Sequence, residues 1–272
     1  MDLSKIKLVV TDMDGTLLNS NHEVSSLFLE LFKTLKKHNI IFVAASGRPY
    51  YGITDKLKAI KSEIIIVAEN GGIVVDNENV LLSIPINKNN LYKIEDLIYS
   101  NNHIHPIYCT KSKAYFKNNS NGFIKLLSEY YPNFSVVNTI DEIEEEIIKI
   151  ALYHHEDSEK HIFPLFENLT AEYKIIISGK HWVDISDIYA NKGNAIELLQ
   201  KNYNISMEET IAFGDYNNDI EMLKRASFSF AMENAHQNVK DTANYKTKSN
   251  DEFGVEVILK ELIRAKESFF NK

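Results

Sequence analysis

Residues 6–10, Ile-Lys-Leu-Val-Val, form a short and almost wholly apolar run that closes on Thr11 and Asp12. A run without polar alternation has to be covered on both faces, which is the situation of a strand inside a parallel sheet. Val24, Leu27, Phe28, Leu31 and Leu35 then recur at spacings of three and four, the mark of an amphipathic helix. Residues 40–44 are again apolar and β-rich. After Ser46-Gly47-Arg48-Pro49 a second helical stretch, to about Ala59, leads into the apolar run 64–67. Two strand-helix-strand units in succession predict an α/β fold with a Rossmann-like, doubly wound parallel sheet.

The rhythm breaks at Asn70-Gly71-Gly72, a turn signal flanked by the apolar runs 73–75 and 80–86, which predicts a hairpin. Beyond it, helical patterns at 88–101, 121–131 and 158–168 alternate with strand-like runs at 104–109, 114–117, 147–154, 173–178 and 182–186. Tight turns such as Ser178-Gly179-Lys180 predict antiparallel pairing there, hence an α+β insert. A helix opens at Asn191-Lys192-Gly193-Asn194. The apolar run 210–213, a helix to Arg225, short strands near 228–231 and 245–247 and a last helix, about Val255 to Phe269, restore the first rhythm. The expected organisation is a core of 1–83 and 187–272 with an α+β domain of 84–186 inserted in it.

Composition narrows the function classes. The 272 residues are 44% hydrophobic and 25% charged, with 10 Gly and 5 Pro, as in ordinary globular chains. Thirty basic against 38 acidic side chains leave a net charge of −8, which repels phosphate backbones and anionic lipid, so neither nucleic acid nor a membrane surface is expected as partner. The expected partner is a small molecule. The single cysteine, Cys109, allows no internal disulfide and no multi-cysteine zinc site, and reads as a small buried apolar residue. No apolar stretch approaches the roughly 20 residues of a membrane helix, and residues 1–7 lack the apolar core of a signal peptide. The expected location is the cytoplasm.

The chemistry-bearing residues sit where predicted strands end, the edge at which open α/β sheets bind ligands. Asp12-Met13-Asp14-Gly15-Thr16 follows the first strand. Extended alternation puts Asp12 and Asp14 on one side with Met13 opposite, and Gly15 permits a sharp turn whose amides are open to an anion. Taken alone, the pair reads equally as a capping aspartate beside a turn aspartate. Ser46 alone reads as a strand-end cap, Lys192 as a solvated residue at a helix start, and Asp215 with Asp219 as a cap and its next-turn neighbour. Arg48, one of three arginines, reads as a scaffold ion-pair partner or as a substrate contact, and Asn70 is open in the same way.

In order and placement, these segments resemble the haloacid dehalogenase superfamily of phosphatases. Asp12-Met13-Asp14-Gly15-Thr16-Leu17 looks like its first motif, Ala45-Ser46-Gly47-Arg48 its second and Asn191-Lys192-Gly193 its third. Residues 214–223, Gly-Asp-Tyr-Asn-Asn-Asp-Ile-Glu-Met-Leu, look like its fourth. The insert lies where that family's larger caps lie, and Glu69-Asn70-Gly71-Gly72 with Asp251-Glu252-Phe253-Gly254-Val255 resemble the Cof-type branch. The resemblance implies a nucleophilic Asp12 that forms an aspartyl-phosphate and an Asp14 that protonates the leaving alcohol and then deprotonates water. It implies Mg²⁺ on the Asp12 carboxylate, the Asp14 carbonyl and Asp215, with Asp219 supporting the metal's water shell or orienting Lys192. Phosphate oxygens would be held by Ser46, Lys192, the Met13 and Gly47 amides and Asn218, with Arg48 and Asn70 as further candidates. The implied substrate is a small phosphorylated metabolite, a sugar phosphate or a phosphorylated cofactor, chosen by the cap.

Two alternatives stay open. A phosphomutase shares the first motif, and a phosphoacceptor signalling module also carries an aspartate at a strand end, though it would be a single α/β domain of about half this length. His103, His105, His154 and His155 have no cysteine or acidic pair at a metal-ligand spacing, so they read as surface histidines. Residues 141–146 read as a solvated charge run, and Trp182 and Tyr189 as packing between cap and core.

Overall fold

The computed structural model of the protein describes residues 2–101, 103–117 and 121–270, so positions 1 and 271–272 of the expected core lie outside the described residues. The strands, in chain order, are β1 (Leu8–Thr11), β2 (Ile41–Ala45), β3 (Ile65–Ala68), β4 (Ile73–Asp76), β5 (Asn79–Ser83), β6 (His105–Cys109) and β7 (Ala114–Lys117). They continue with β8 (Phe134–Val137), β9 (Lys149–Tyr153), β10 (Tyr173–Gly179), β11 (Trp182–Asp187), β12 (Thr210–Gly214), β13 (Phe228–Ala231) and β14 (Tyr245–Lys246). Eight of them form one sheet in the order β14-β13-β12-β1-β2-β3-β4-β5, and six form another in the order β10-β11-β9-β6-β7-β8.

In the larger sheet pairing is parallel from β14 through β3 and turns antiparallel at β4. All four residues of β1 are buried, as its unbroken apolar run requires. The helix Ser26–Lys37 buries Phe28, Phe32 and Leu35, and Phe28 packs on Phe42 of β2 with ring centroids 5.1 Å apart. Its start is fixed by Ser25, whose hydroxyl accepts from the Phe28 amide at 2.9 Å. The helix Gly254–Phe270 packs on that same helix.

Contacts divide the chain into two units. One holds the chain up to Gly47, Ile53–Leu81 and the described residues from Asn191 onward; the other holds Arg48–Gly52 and Leu82–Ala190. The sequence reading counts residues 48–52 with the core, whereas their contacts group them with the insert. In the second unit strand alternation sorts side chains onto two faces. Tyr108, Ile150, Leu152, Val183 and Ile185 share a cluster with Leu91, Ile94 and Ile98 of the helix Lys88–Tyr99. Ile107, Cys109, Phe116, Ala151 and Tyr153 share another with Leu127 of the helix Asn121–Tyr130.

Some details depart from the sequence expectations. The hairpin expected at Asn70-Gly71-Gly72 is present, β3 pairing antiparallel with β4 across residues 69–72 with Ala68 opposite Ile73, and a second turn, Asn77-Glu78 with φ of 44° and 73°, the left-handed pair that a two-residue hairpin needs, joins β4 to β5. The second sheet is not wholly antiparallel, because β7 and β8 pair in parallel across an intervening helix. The helix expected at 158–168 is broken into Ser158–His161, Phe163–Phe166 and a 3₁₀ turn Glu167–Leu169, since Pro164 has no amide to donate and its ring crowds the preceding turn. Glu145, placed in a solvated charge run, accepts from Thr110, Ser112 and Tyr115 at 3.1, 2.6 and 3.0 Å. His154, read as a surface histidine, is buried and stacked on His155 and His161. Trp182 packs on Tyr153 within the second unit, centroids 4.9 Å apart.

Candidate active site

The parallel register sets the site. Thr11, the last residue of β1, pairs with Ala44 on one side and Phe213 on the other, so the chain leaves three adjacent strands at Asp12, at Ala45-Ser46 and at Gly214-Asp215. Neighbouring strands lie about 4.8 Å apart, which brings residues far apart in sequence to one edge. Gly15 turns the first of these segments with φ +75°, and a Cβ there would fall 2.3 Å from Asp215 Oδ2. That proximity of Gly15 to the carboxylate admits no side chain.

Lys192 enters at the start of the helix Lys192–Tyr203, where the Asn191 side chain caps the first turn by accepting from the Asn194 amide at 2.8 Å. The Lys192 side chain is fully buried. Its Nζ donates to Asp12 Oδ1 at 2.6 Å and to Asp219 Oδ1 at 2.7 Å. Burial works to depress the ammonium, but Asp12 and Asp219 outweigh it and hold Lys192 above its ordinary value. Burial pushes the Asp12 carboxyl well up; Lys192 opposes that, and Asp219 and Asp215 add to it. Asp215 is pushed up to about 6, first by burial and then by Asp219, against the hydrogen bond from Thr16. One ammonium therefore faces more carboxylate charge than it offsets.

That imbalance is the test of whether a cation fits. Oxygens of Asp12, Asp215 and Asp219 lie within 4.8 Å of one another, a hard-oxygen set of the kind divalent magnesium takes. Both oxygens of Asp219 are engaged, Oδ1 by Lys192 and Oδ2 by the amides of Asp215 and Tyr216 at 3.0 and 3.1 Å. Among the described residues the second oxygens of Asp12 and Asp215 accept no hydrogen bond, their first being taken by Lys192 and Thr16. The donor set fits a small hard cation on Asp12 and Asp215, with Asp219 holding Lys192 and the Asp215 loop in place.

The other residues singled out in the sequence fall around this cluster. Ser46 is buried at the end of β2 and its carbonyl accepts from the Asn70 amide at 3.0 Å. The Asn70 side chain lies against Gly47 and its Oδ1 accepts from Asn218 Nδ2 at 3.0 Å, so Gly47, Asn70 and Asn218 form one group. Met13 is buried under the loop. Arg48 groups with the second unit. Sequence reasoning missed two contacts. Thr16 donates to Asp215 Oδ1 at 3.0 Å, and its place inside the first motif was a signal; His22 Nδ1 lies 2.9 Å from Asp14 Oδ1, and nothing in its neighbours marked it.

Comparison with known proteins points the same way. A family model described as haloacid dehalogenase-like hydrolase matches residues 9–259. The 5-amino-6-(5-phospho-D-ribitylamino)uracil phosphatase YbjI of Escherichia coli (strain K12) is 30% identical over 267 residues, covering 97% of this chain and 98% of that protein. YcsE of Bacillus subtilis (strain 168), which carries the same enzyme name, is 25% identical over 252 residues, covering 92% and 93%. The crystal structure of a Streptococcus mutans UA159 protein matches with a TM-score of 0.85 at 31% identity, covering 95% of this chain and 99% of that one.

Proposed function

Because the chain belongs to the haloacid dehalogenase-like hydrolase family, we propose that it is a Mg²⁺-dependent phosphatase of small phosphorylated metabolites that works through an aspartyl-phosphate on Asp12. The observation that carries this reading is the fully buried Lys192, 2.6 Å from Asp12 and 2.7 Å from Asp219, set among three converging carboxylates. A lysine placed so holds Asp12 in one orientation and lessens the repulsion between that carboxylate and an anionic ester.

Asp12 attacks phosphorus as the bond to the leaving alcohol breaks. Asp14 supplies the proton that the alcohol takes up, and later removes one from the water that hydrolyses the acyl phosphate. Ser46, the Met13 and Gly47 amides, Asn218 and Lys192 hold the non-bridging oxygens, with Asn70 fixing Asn218. Magnesium, held by Asp12, Asp215 and the Asp14 carbonyl, would neutralise charge on the phosphoryl oxygens. Asp219 positions Lys192.

Substrate choice is assigned to the second unit, because the residues of the first-unit site engage only phosphoryl group and metal. Two relatives are named as phosphatases of a phosphorylated ribityl compound, which makes phosphorylated polyols and sugars, 5-amino-6-(5-phospho-D-ribitylamino)uracil among them, the first compounds to assay. A reducing cytoplasm is the proposed setting, in keeping with one buried thiol; among the described residues no helix is long and apolar enough to cross a membrane. The test is phosphate release from a panel of phosphate monoesters with Mg²⁺ and with chelator. Release that needs the metal and is lost in Asp12→Asn is expected. Full activity in excess chelator would remove the metal, and full activity of Asp12→Asn would remove the nucleophile.

A further inference from the structure

Residues 19–23 form a turn braced by hydrogen bonds of its own. The Asn19 side chain accepts from the amides of Asn21 and Glu23, each at 3.0 Å, while its backbone accepts from the His22 amide at 2.8 Å and donates to the Glu23 carbonyl at 3.1 Å. The turn is anchored from outside as well. Asp251 accepts from the Ser20 amide and hydroxyl at 2.8 and 2.6 Å, and Asn250 Nδ2 donates to the Leu18 carbonyl at 2.9 Å. His22 sits in this frame with φ 57°, a left-handed conformation that non-glycine residues seldom adopt. The result is an imidazole whose Nδ1 lies 2.9 Å from Asp14 Oδ1.

We propose that His22 is a positioning residue for the acid-base work of Asp14, donating from Nδ1–H to Oδ1 so that Oδ2 is the oxygen that carries the proton. The proposal rests on the reading of Asp14 as the acid. While Asp14 is ionised it only accepts, so the contact then runs from an Nδ1 proton to Oδ1, and the same contact persists in the acid form when the carboxyl proton sits on Oδ2. As the bond between phosphorus and the leaving oxygen breaks and that between phosphorus and Asp12 forms, the Oδ2 proton passes to the leaving oxygen and Asp14 is left as carboxylate. Its Oδ1 is still held by His22. Both side chains are partly exposed, so the contact acts by fixing a rotamer rather than by storing much energy.

The experiment compares His22→Gly, His22→Ala, His22→Asn and Asp14→Asn, with Mg²⁺, on an alkyl phosphate and on p-nitrophenyl phosphate. Glycine tolerates the left-handed backbone and removes only the side chain; asparagine keeps that conformation and puts an N–H where the imidazole Nδ1 stood. For His22→Gly and His22→Ala, kcat/KM on the alkyl ester is expected to fall about three- to tenfold, with KM little changed and a smaller loss on the activated ester, whose leaving group hardly needs a proton. His22→Asn should recover most of the loss. Adding His22→Gly to Asp14→Asn should lower the rate no further. Equal losses on the two esters, an undiminished His22→Gly, an asparagine no better than glycine, or a further loss in the double variant would each overturn the role of His22. Loss in Asp14→Asn that is the same on both esters would instead overturn the reading of Asp14 as acid.

Discussion

Replacing Lys192 by methionine would leave the Asp12 and Asp219 carboxylates facing each other without the ammonium now 2.6 and 2.7 Å away. Removing one partner of a buried ion pair costs on the order of 3 kcal/mol, so Lys192→Met should unfold at clearly lower urea; wild-type stability would mean that the buried charges are satisfied elsewhere. Asp215 gives a pH-dependent counterpart. Its carboxyl is raised to about 6 from an ordinary 3.8, so the folded state binds its proton more tightly than the unfolded chain. The stabilisation is complete below 3.8 and is lost as pH rises through about 6. In chelator, Asp215→Asn should therefore gain stability relative to wild type between pH 4 and pH 7, and urea melts in which the gap between them stays constant would contradict the shift. Single residues were the least legible scale in the sequence. Taken by itself, a lysine at a helix start looks solvated, and only the resemblance of Asn191-Lys192-Gly193 to a family motif marked it before the fold set it against Asp12, 180 positions away; His22 gave no signal because its partner is reached only through a turn held by Asn19 and Asp251.

At the scale of elements the turn Glu69–Gly71 and the helix Lys192–Tyr203 are fitted to each other. A Cβ on Gly71, at φ +96°, would come within 2.3 Å of the Asn191 carbonyl oxygen, so the capping residue beneath Lys192 is seated against that turn. Gly71→Ala should destabilise by roughly 1–3 kcal/mol and, since Asn191 must move, lower kcat/KM even well below its melting temperature. Steady-state kinetics and a thermal melt of the same sample check both, and unchanged kinetics would separate the turn from the site. Strands and long helices were legible because burial on both faces and on one stripe leaves different apolar spacings, as in β1 and the helix Ser26–Lys37. What escaped was local punctuation. The second hairpin turn, Asn77-Glu78, has no glycine to mark it, and Pro164 cuts a segment whose apolar period runs on across it.

For the whole molecule, the doubly wound sheet was legible from the order of runs, because continuous apolar strands separated by amphipathic helices have few other ways to be covered. The parallel pairing of β7 and β8 was not legible, since neither strand's pattern records the direction of its neighbour. The proposed cation would tie the stability of the molecule to the carboxylate-rich site. Magnesium at about 100 times its dissociation constant should stabilise the fold by about 2.7 kcal/mol, read as a rise in melting temperature that chelator reverses and that Asp12→Asn and Asp215→Asn lose; no shift in wild type would contradict the cation site. The central claim, covalent transfer of the phosphoryl group to Asp12, is tested most directly by trapping. Asp14→Asn, which lacks the base for hydrolysis, is mixed with p-nitrophenyl phosphate and Mg²⁺, quenched in acid and digested for mass spectrometry. The peptide containing Asp12 is expected to carry one added phosphoryl group; p-nitrophenol released with no phosphoryl group on that peptide, or with one on a different residue, would contradict it.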